Sequence, residues 1–369
     1  MTQFLFATIL AERRKELKLT QEDIAQFVGV SRAAVSKWEK GLSYPDITLL
    51  PKLAMYFDLS IDTLLGYEPQ LTKERIEQLY AQLANRFATE PYEQVFAEVE
   101  NIITEYYSCY PFLIKMAQLL LNYMPQSPNP VATGDQILAL CERVKTNAQG
   151  LNTLQESTAI QASVYLMQQK PEQVLALLGE QPHLEFNSES LIASALMQLQ
   201  KTEEAKQVIQ VNAYQKLLVL IGSLSESLLL EVNQPEYTDE TVHKAHQLIT
   251  LFEVEKMNVN AVLLLYLRAA LAFTMQQRLE RAKEMVEHYL KTCTQIKFPL
   301  KLSGGDYFYL LQEWIENEQS LMQQAPRDEQ SIKRDLLAAV EQNPLLAPLL
   351  QDEQLTMLYK NVQHYLKEA

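Results

Sequence analysis

Thr20–Gly41 reads TQEDIAQFVGVSRAAVSKWEKG, and its spacing sets two short helices around one tight turn. Thr20 and Asp23 have the S/T-x-x-D/E form of a capping box, in which the threonine hydroxyl takes an orphan backbone N–H as the first helix opens. Ile24, Ala25 and Val28 supply an apolar stripe, and Gly29 falls where the chain must turn, because glycine takes a positive φ without a Cβ penalty. Ser31 is placed to cap the second helix. There Val35 and Trp38 face inward, leaving Arg32, Ala33, Ser36, Lys37 and Lys40 on the other side. A short helix with small and basic groups outward can enter a DNA major groove, where bulky or acidic groups would clash with base edges or repel phosphates.

Working outward, Phe4 to Leu17 predicts a first helix with Ile9, Leu10 and Leu17 inward. After the loop LSYPD, Thr48 is expected to cap a helix carrying Leu49, Leu50, Leu53, Ala54 and Phe57, with Pro51 in its first turn, where no donor is needed. Ser60 to Leu65, closed by Gly66, makes a fifth. The apolar residues of this head are expected to be used up in its own core.

These residues resemble the Cro/Xre family of repressor DNA-binding domains, whose pattern T-Q-x-x-[IL]-A-x-x-x-G-[VI]-S-x-x-x-[VI]-S-x-W-E-x-G stands here from Thr20 to Gly41. The match runs over roughly residues 5 to 66. The resemblance implies that Gln21 touches a phosphate and that Arg32, Ala33, Ser36 and Lys37 face base edges. Ser31 and Lys40 complete the expected DNA-contacting set. It also implies a buried acid at Glu39 whose partner falls on Arg14, so Arg14 is as much an internal ion-pair candidate as a DNA contact. Ala33 and Ala34 stand where the family often has polar side chains, which leaves thymine-methyl contact rather than a rich hydrogen-bond code.

Composition is that of a helical chain: 369 residues, 47% apolar, with only 9 Gly, and long enough for two or more units. A net charge of −14 argues by itself against nucleic-acid binding. Counting by region removes the conflict. Residues 1–67 hold 8 Lys/Arg and 8 Asp/Glu, so all of the −14 lies in the remaining 302. A neutral head can gather its bases on one face, while an acidic body limits indiscriminate sticking to DNA. Cys109, Cys141 and Cys293 are scattered and odd in number, which predicts reduced thiols packed as apolar groups in a cytoplasmic protein. The apolar run Phe4–Ala11 lacks a preceding basic segment, so no export signal is expected. The run from Leu217 to Leu230 is interrupted by Ser223, Ser225, Glu226 and Ser227, and predicts a buried helix rather than a membrane span.

Beyond Leu71 the pattern lengthens. Lys73–Phe87 and Tyr92–Tyr107 read as a helical hairpin, Phe112–Tyr123 as the next helix, and PQSPNPVATG at 125–134 as a loop. Three segments then overlay: 162–178, 193–209 and 268–286, each with small residues, a short polar turn and an E-x-[AV] start to a second helix. Val174 to Ala205 is 31 residues and Ala205 to Ala282 is 77, about one and a little over two periods of a 34-residue unit. This resembles tetratricopeptide repeats in degenerate form. The expected architecture is all-α: a five-helix head (1–67), a linking hairpin (68–110) and a superhelical repeat body (111–369), with an irregular helical bundle as the alternative for the body.

Catalytic chemistry finds no foothold. His243 and His246 behind Asp239 and Glu240 could share a metal on one turn, but two histidines and exposed acids read more simply as a solvated helix start. Glu284 and His288 are an i,i+4 pair that needs no function, and Gly304-Gly305 reads as a turn before a helix. No cofactor, metal or enzymatic activity is expected. Polar residues on the first helices of the proposed pairs, Asn152, Gln161, Tyr165, Asn187, Ser190, Ser194, Asn260 and Tyr266, are candidates to grip a ligand in a concave face. A Cro-like head on such a body resembles the peptide-pheromone receptors of the Rgg and PlcR kind. That architecture implies a homodimeric cytoplasmic regulator that binds double-stranded DNA at an inverted-repeat operator and senses a peptide or small ligand. The alternative is a DNA-tethered adaptor whose repeats bind a protein partner.

Overall fold

The computed structural model describes residues 5–67, 70–147, 150–182, 187–317 and 327–368, and these contain twenty α-helices and no strand. The expected helix start at Phe4 and the expected boundary at residue 68 lie outside the described residues. By contact the chain divides into two units, one of residues 1–79 and 93–116, the other of residues 80–92 and 117–369.

The first unit opens with α1 (Phe6–Glu16), α2 (Gln21–Val28), α3 (Arg32–Glu39), α4 (Leu50–Phe57) and α5 (Ile61–Leu65). Phe6, Leu10, Ile24, Val28, Val35, Trp38, Leu53, Phe57 and Leu64 form one buried cluster. One expectation for α1 needs correction. Leu17 is exposed and Phe6 takes the inward place, because the helix ends at Glu16 and Leu17 falls in the turn beyond it. The cap before α4 also differs. Asp46, not Thr48, does the capping: it accepts from the Thr48 backbone N–H at 2.9 Å and starts a 3-10 turn at Ile47–Leu49 that leads into the helix. Nor does the head consume its own apolar residues, since Leu5, Phe27, Leu42, Ile47 and Met55 are exposed. A bundle this small has too much surface for its volume to hide them all.

Helices α6 (Lys73–Thr89), α7 (Tyr92–Glu105) and α8 (Tyr110–Tyr123) follow. Within the first unit, Gln70 Nε2 donates to the Ser108 carbonyl at 3.2 Å, and the Leu71 N–H lies 3.4 Å from Cys109 Sγ, fastening the start of α6 to the corner between α7 and α8.

The second unit continues with α9 (Pro130–Asn147), α10 (Leu151–Met167), α11 (Pro171–Leu178), α12 (Ser188–Gln198) and α13 (Thr202–Leu230). Next come α14 (Pro235–Phe252), α15 (Val254–Met257), α16 (Val259–Met275) and α17 (Leu279–Cys293). Helices α18 (Leu311–Asn317), α19 (Glu329–Glu341) and α20 (Glu353–Glu368) complete it. Only part of PQSPNPVATG is a loop. Pro130 sits at the first helical position, where its missing N–H costs nothing, so Val131–Gly134 belong to α9.

The three overlaid segments are the helix pairs α10/α11, α12/α13 and α16/α17. Each pair turns the same way. Gln169, Gln200 and Gln277 take positive φ of 56, 60 and 61°, and the next residue, Lys170, Lys201 or Arg278, returns its N–H to a carbonyl five residues back at 2.8 to 2.9 Å. The main core joins α13, α14, α16, α17, α19 and α20 around Tyr214, Tyr266, Phe273, Tyr289 and Leu355. Tyr123 reaches across 205 residues of sequence. Its hydroxyl lies 2.9 Å from the Ala84 carbonyl and 3.0 Å from Asp328 Oδ2, at the start of α19. Helix α13 corrects a sequence expectation: it is one continuous helix of 29 residues, long and apolar enough to cross a membrane, and it is not wholly buried, because Val219 and Leu230 face outward. All three cysteines are free and buried.

Candidate nucleic-acid interface

The local chemistry that builds the head also aims α3. Thr20 and Asp23 close a full capping box on α2, and Gly29, at φ 82°, ends the helix in the left-handed conformation. Ser31 then accepts from the Ala34 N–H at 3.3 Å and caps α3, which starts at the next residue. Val35 and Trp38 anchor the inner face of α3 in the core, which fixes the rotation of the helix. Arg32, Ala33, Lys37 and Lys40 are consequently exposed, with Ser36 half-buried beside them.

Beneath this row lies a polar brace. Arg14 Nε donates to Glu39 Oε1 at 2.5 Å, and Arg14 Nη2 donates to Oε2 at 3.1 Å, so the pair is bidentate and joins α1 to the end of α3. Arg14 Nη1 also holds the Leu19 carbonyl at 3.0 Å. Burial pushes the Glu39 carboxyl up, but the bonds from Arg14 and Gln21 outweigh it and leave the group below its usual range. The same bond to Glu39 raises the Arg14 guanidinium further above its ordinary value. Arg14 is thus spent inside the head. Arg13 is spent too, with its Nε on the Phe57 carbonyl at 3.2 Å and Nη1 on Glu16 at 2.9 Å.

Gln21 stands in the same brace. Its Nε2 donates to Glu39 Oε2 at 2.8 Å, so it braces α3 from the first turn of α2, a role not visible in the sequence because nothing in T-Q-E-D tells which way a half-buried amide turns. The cations on α3 are different. Among the described residues, the side chains of Arg32, Lys37 and Lys40 make no hydrogen bond or ion pair with the rest of the chain. Ser31 is the helix cap, so its hydroxyl is already partly engaged.

The ligand candidates fall in three places. Asn187, Ser190 and Ser194 lie together at the start of α12, where Asn187 Nδ2 donates to Ser190 Oγ at 2.6 Å and Asn212 Nδ2 donates to Asn187 Oδ1 at 3.3 Å. Gln161 and Tyr165 are on α10. Gln161 is buried and bonded to Glu142 and Lys145 of α9. Asn260 is exposed on α16, whereas Tyr266 on the same helix is buried with its hydroxyl on His246. Gln161 and Tyr266 therefore serve packing between helices as they stand.

The helix-turn-helix family model matches residues 10–64. The HTH-type transcriptional activator BcrR of Enterococcus faecalis is 40% identical over 68 residues, which is 18% of this chain and 33% of BcrR, so the match spans about a third of that relative. An HTH-type transcriptional regulator of Methanocaldococcus jannaschii is 42% identical over 50 residues, 14% of this chain and 76% of the relative. Among solved structures, Bacillus thuringiensis PlcR, in complex with the peptide PapR7 and DNA, aligns over 78% of this chain and 95% of its own at 15% identity and a TM-score of 0.32. That score is below the level of a shared overall fold. The head alone, matched in sequence and built as two capped helices around Gly29, decides the matter: the chain belongs to the helix-turn-helix family of transcriptional regulators.

Proposed function

We propose that this regulator binds an inverted-repeat operator as a homodimer in the cytoplasm and that its helical body, beyond a linking hairpin at 68–110, senses a peptide or small ligand. The observation that carries the DNA half is the division of labour among the head's bases: Arg13 and Arg14 are consumed inside, while Arg32, Lys37 and Lys40 stand outward on α3. With Ala33 and Ser36 between them, α3 combines phosphate attraction with close approach to base edges. Ser31 and Gln21 flank the row, and Gln21, with one amide hydrogen on Glu39, has the other to offer a phosphate. One head reads few base pairs, too few to single out a site among the roughly 10⁶ or more competitors in a genome, which favours two heads on two half-sites.

For the ligand half, support comes from Asn187, Ser190 and Ser194, polar and partly or fully exposed at the start of α12, beside exposed Leu191 and Ile192 on the same helix. Apolar surface with a few placed amides and hydroxyls suits a peptide-sized ligand. The test is selection of random DNA duplexes on the full chain, followed by titration of the selected duplex with cell-extract peptides. Recovery of an inverted repeat whose affinity changes with a peptide fraction supports the reading. A single half-site overturns the dimer, and an affinity indifferent to every fraction overturns ligand sensing in favour of an adaptor role.

A further inference from the structure

Where α14, α16 and α17 meet, three rings from three helices stack. The Tyr266 hydroxyl is 2.9 Å from His246 Nδ1. The His246 and His288 rings meet edge to face with centroids 5.4 Å apart, and His288 lies nearly flat on Tyr266 at 5.0 Å and 18°. Tyr266 is buried, His288 half-buried and His246 exposed, so protons from solvent have direct access to one ring and partial access to the other. We propose that this stack is a proton-sensitive joint: it fastens α14, α16 and α17 together near neutral pH and loosens on acidification.

Two steps give it that behaviour. In the neutral stack one proton is shared along the line between the Tyr266 oxygen and His246 Nδ1. A protonated His246 must donate from Nδ1, which leaves the buried tyrosine hydroxyl to find another acceptor. A second proton, on His288, would put two like charges on touching rings. Glu255 of α15 also acts on Tyr266, but most other charges around the stack are already paired. Glu284 and Glu287, the carboxylates that act on His288 from its own helix, are already bonded to Arg281 and Lys291. On α14, Glu240 holds Lys244, and His243 is exposed one turn before His246. On α16, Arg268 pairs with Glu226 of α13, and Asp352, after α19, pairs with Lys283 of α17.

Burial, with the charge of His246 behind it, lowers the His288 pKa below its ordinary value. The unfolded chain then binds the proton more readily than the folded one. The contribution to stability is complete above the unfolded value of about 6.5 and is lost as pH falls through the folded one.

The test is a ring-proton NMR titration of the full chain, its five histidines assigned by single substitution, with His246→Gln and His288→Gln followed by thermal melting. The His288 midpoint should lie below about 6.5 and rise by about half a unit or more in His246→Gln, where the like charge is gone. His288→Gln should also reduce the loss of Tm between about pH 7.5 and pH 5.5 by about 1 to 2 °C relative to the parent. If His246→Gln packs badly, His246→Asn provides the same titration with a smaller amide. An unmoved His288 midpoint, or an unchanged slope of Tm against pH in His288→Gln, overturns the joint.

Discussion

Glu39 illustrates how one residue can hold the outward face of a helix from beneath. It fixes the end of α3 by accepting from Arg14 on α1 and Gln21 on α2, and both partners come from other helices. Glu39→Ala strands a largely buried guanidinium and should cost on the order of 3 kcal/mol, read as a lower melting temperature of the chain. The sign of its pH dependence follows from the lowered carboxyl pKa. The stabilisation is complete above the unfolded value of about 4.3 and disappears as pH falls through the folded one. A parent and a Glu39→Ala variant that lose stability in parallel below pH 5 would contradict this. Arg32→Ala and Lys37→Ala should behave in the opposite way. Each should leave melting unchanged and weaken operator binding by about 1 to 3 kcal/mol, with a smaller loss on random duplexes, measured by titration at fixed salt. The pairing of Arg14 with Glu39 is legible only through the resemblance to the Cro/Xre family, which leaves Arg14 open between this ion pair and a DNA contact, and the geometry decides for the pair. The inward turn of Gln21 is not legible, because an amide suits a phosphate and a carboxylate equally well.

At the scale of elements, the helix pairs are legible through their small residues and E-x-[AV] starts, but their shared turn is not. A left-handed residue after a helix is usually read from glycine, and this chain uses glutamine three times, at Gln169, Gln200 and Gln277. Left-handed backbone costs an ordinary residue about 1 to 2 kcal/mol, offset here by the returning N–H of the following Lys or Arg. Substitution at Gln200, an exposed position, isolates the backbone effect. Gln200→Gly removes the strain while adding about 0.4 to 1 kcal/mol of unfolded-state entropy, so its stability should match or exceed the parent's. Gln200→Ile, branched at Cβ, should fall below it by about 1 to 2 kcal/mol. Thermal melting that ranks isoleucine level with glycine would remove the turn from the account. Proline misled the reading once. PQSPNP suggested a long loop, yet Pro130 initiates α9, because proline's fixed φ suits the first turn as well as it suits a bend.

The whole molecule carries its −14 charge outside a neutral head, so the α3 cations work against an unfavourable background that penalises contact with arbitrary DNA. It also exposes more apolar side chains than either half of the sequence suggests. On α12 and α13, Leu191 and Leu230 are 74% and 83% exposed, with Ile192, Met197 and Val219 also open. Period and composition alone place such residues in a core, and only the packing shows which side of α13 is left over. Apolar surface left open among the described residues is the usual mark of a contact between chains, and a twofold contact is the arrangement the proposed inverted repeat would require. The full chain should therefore sediment as a dimer rather than at 42.4 kDa. Val219→Glu and Leu230→Glu, made singly, each place a carboxylate on the α13 part of that surface in an already acidic body, and at least one of them should shift the chain toward monomer at micromolar concentration. The same variant should lose about tenfold or more in affinity for the inverted repeat, about 1.4 kcal/mol, while binding an isolated half-site as the parent does. A parent that sediments as a monomer would end the dimer reading. A dimer untouched by both substitutions would move its contact away from α13.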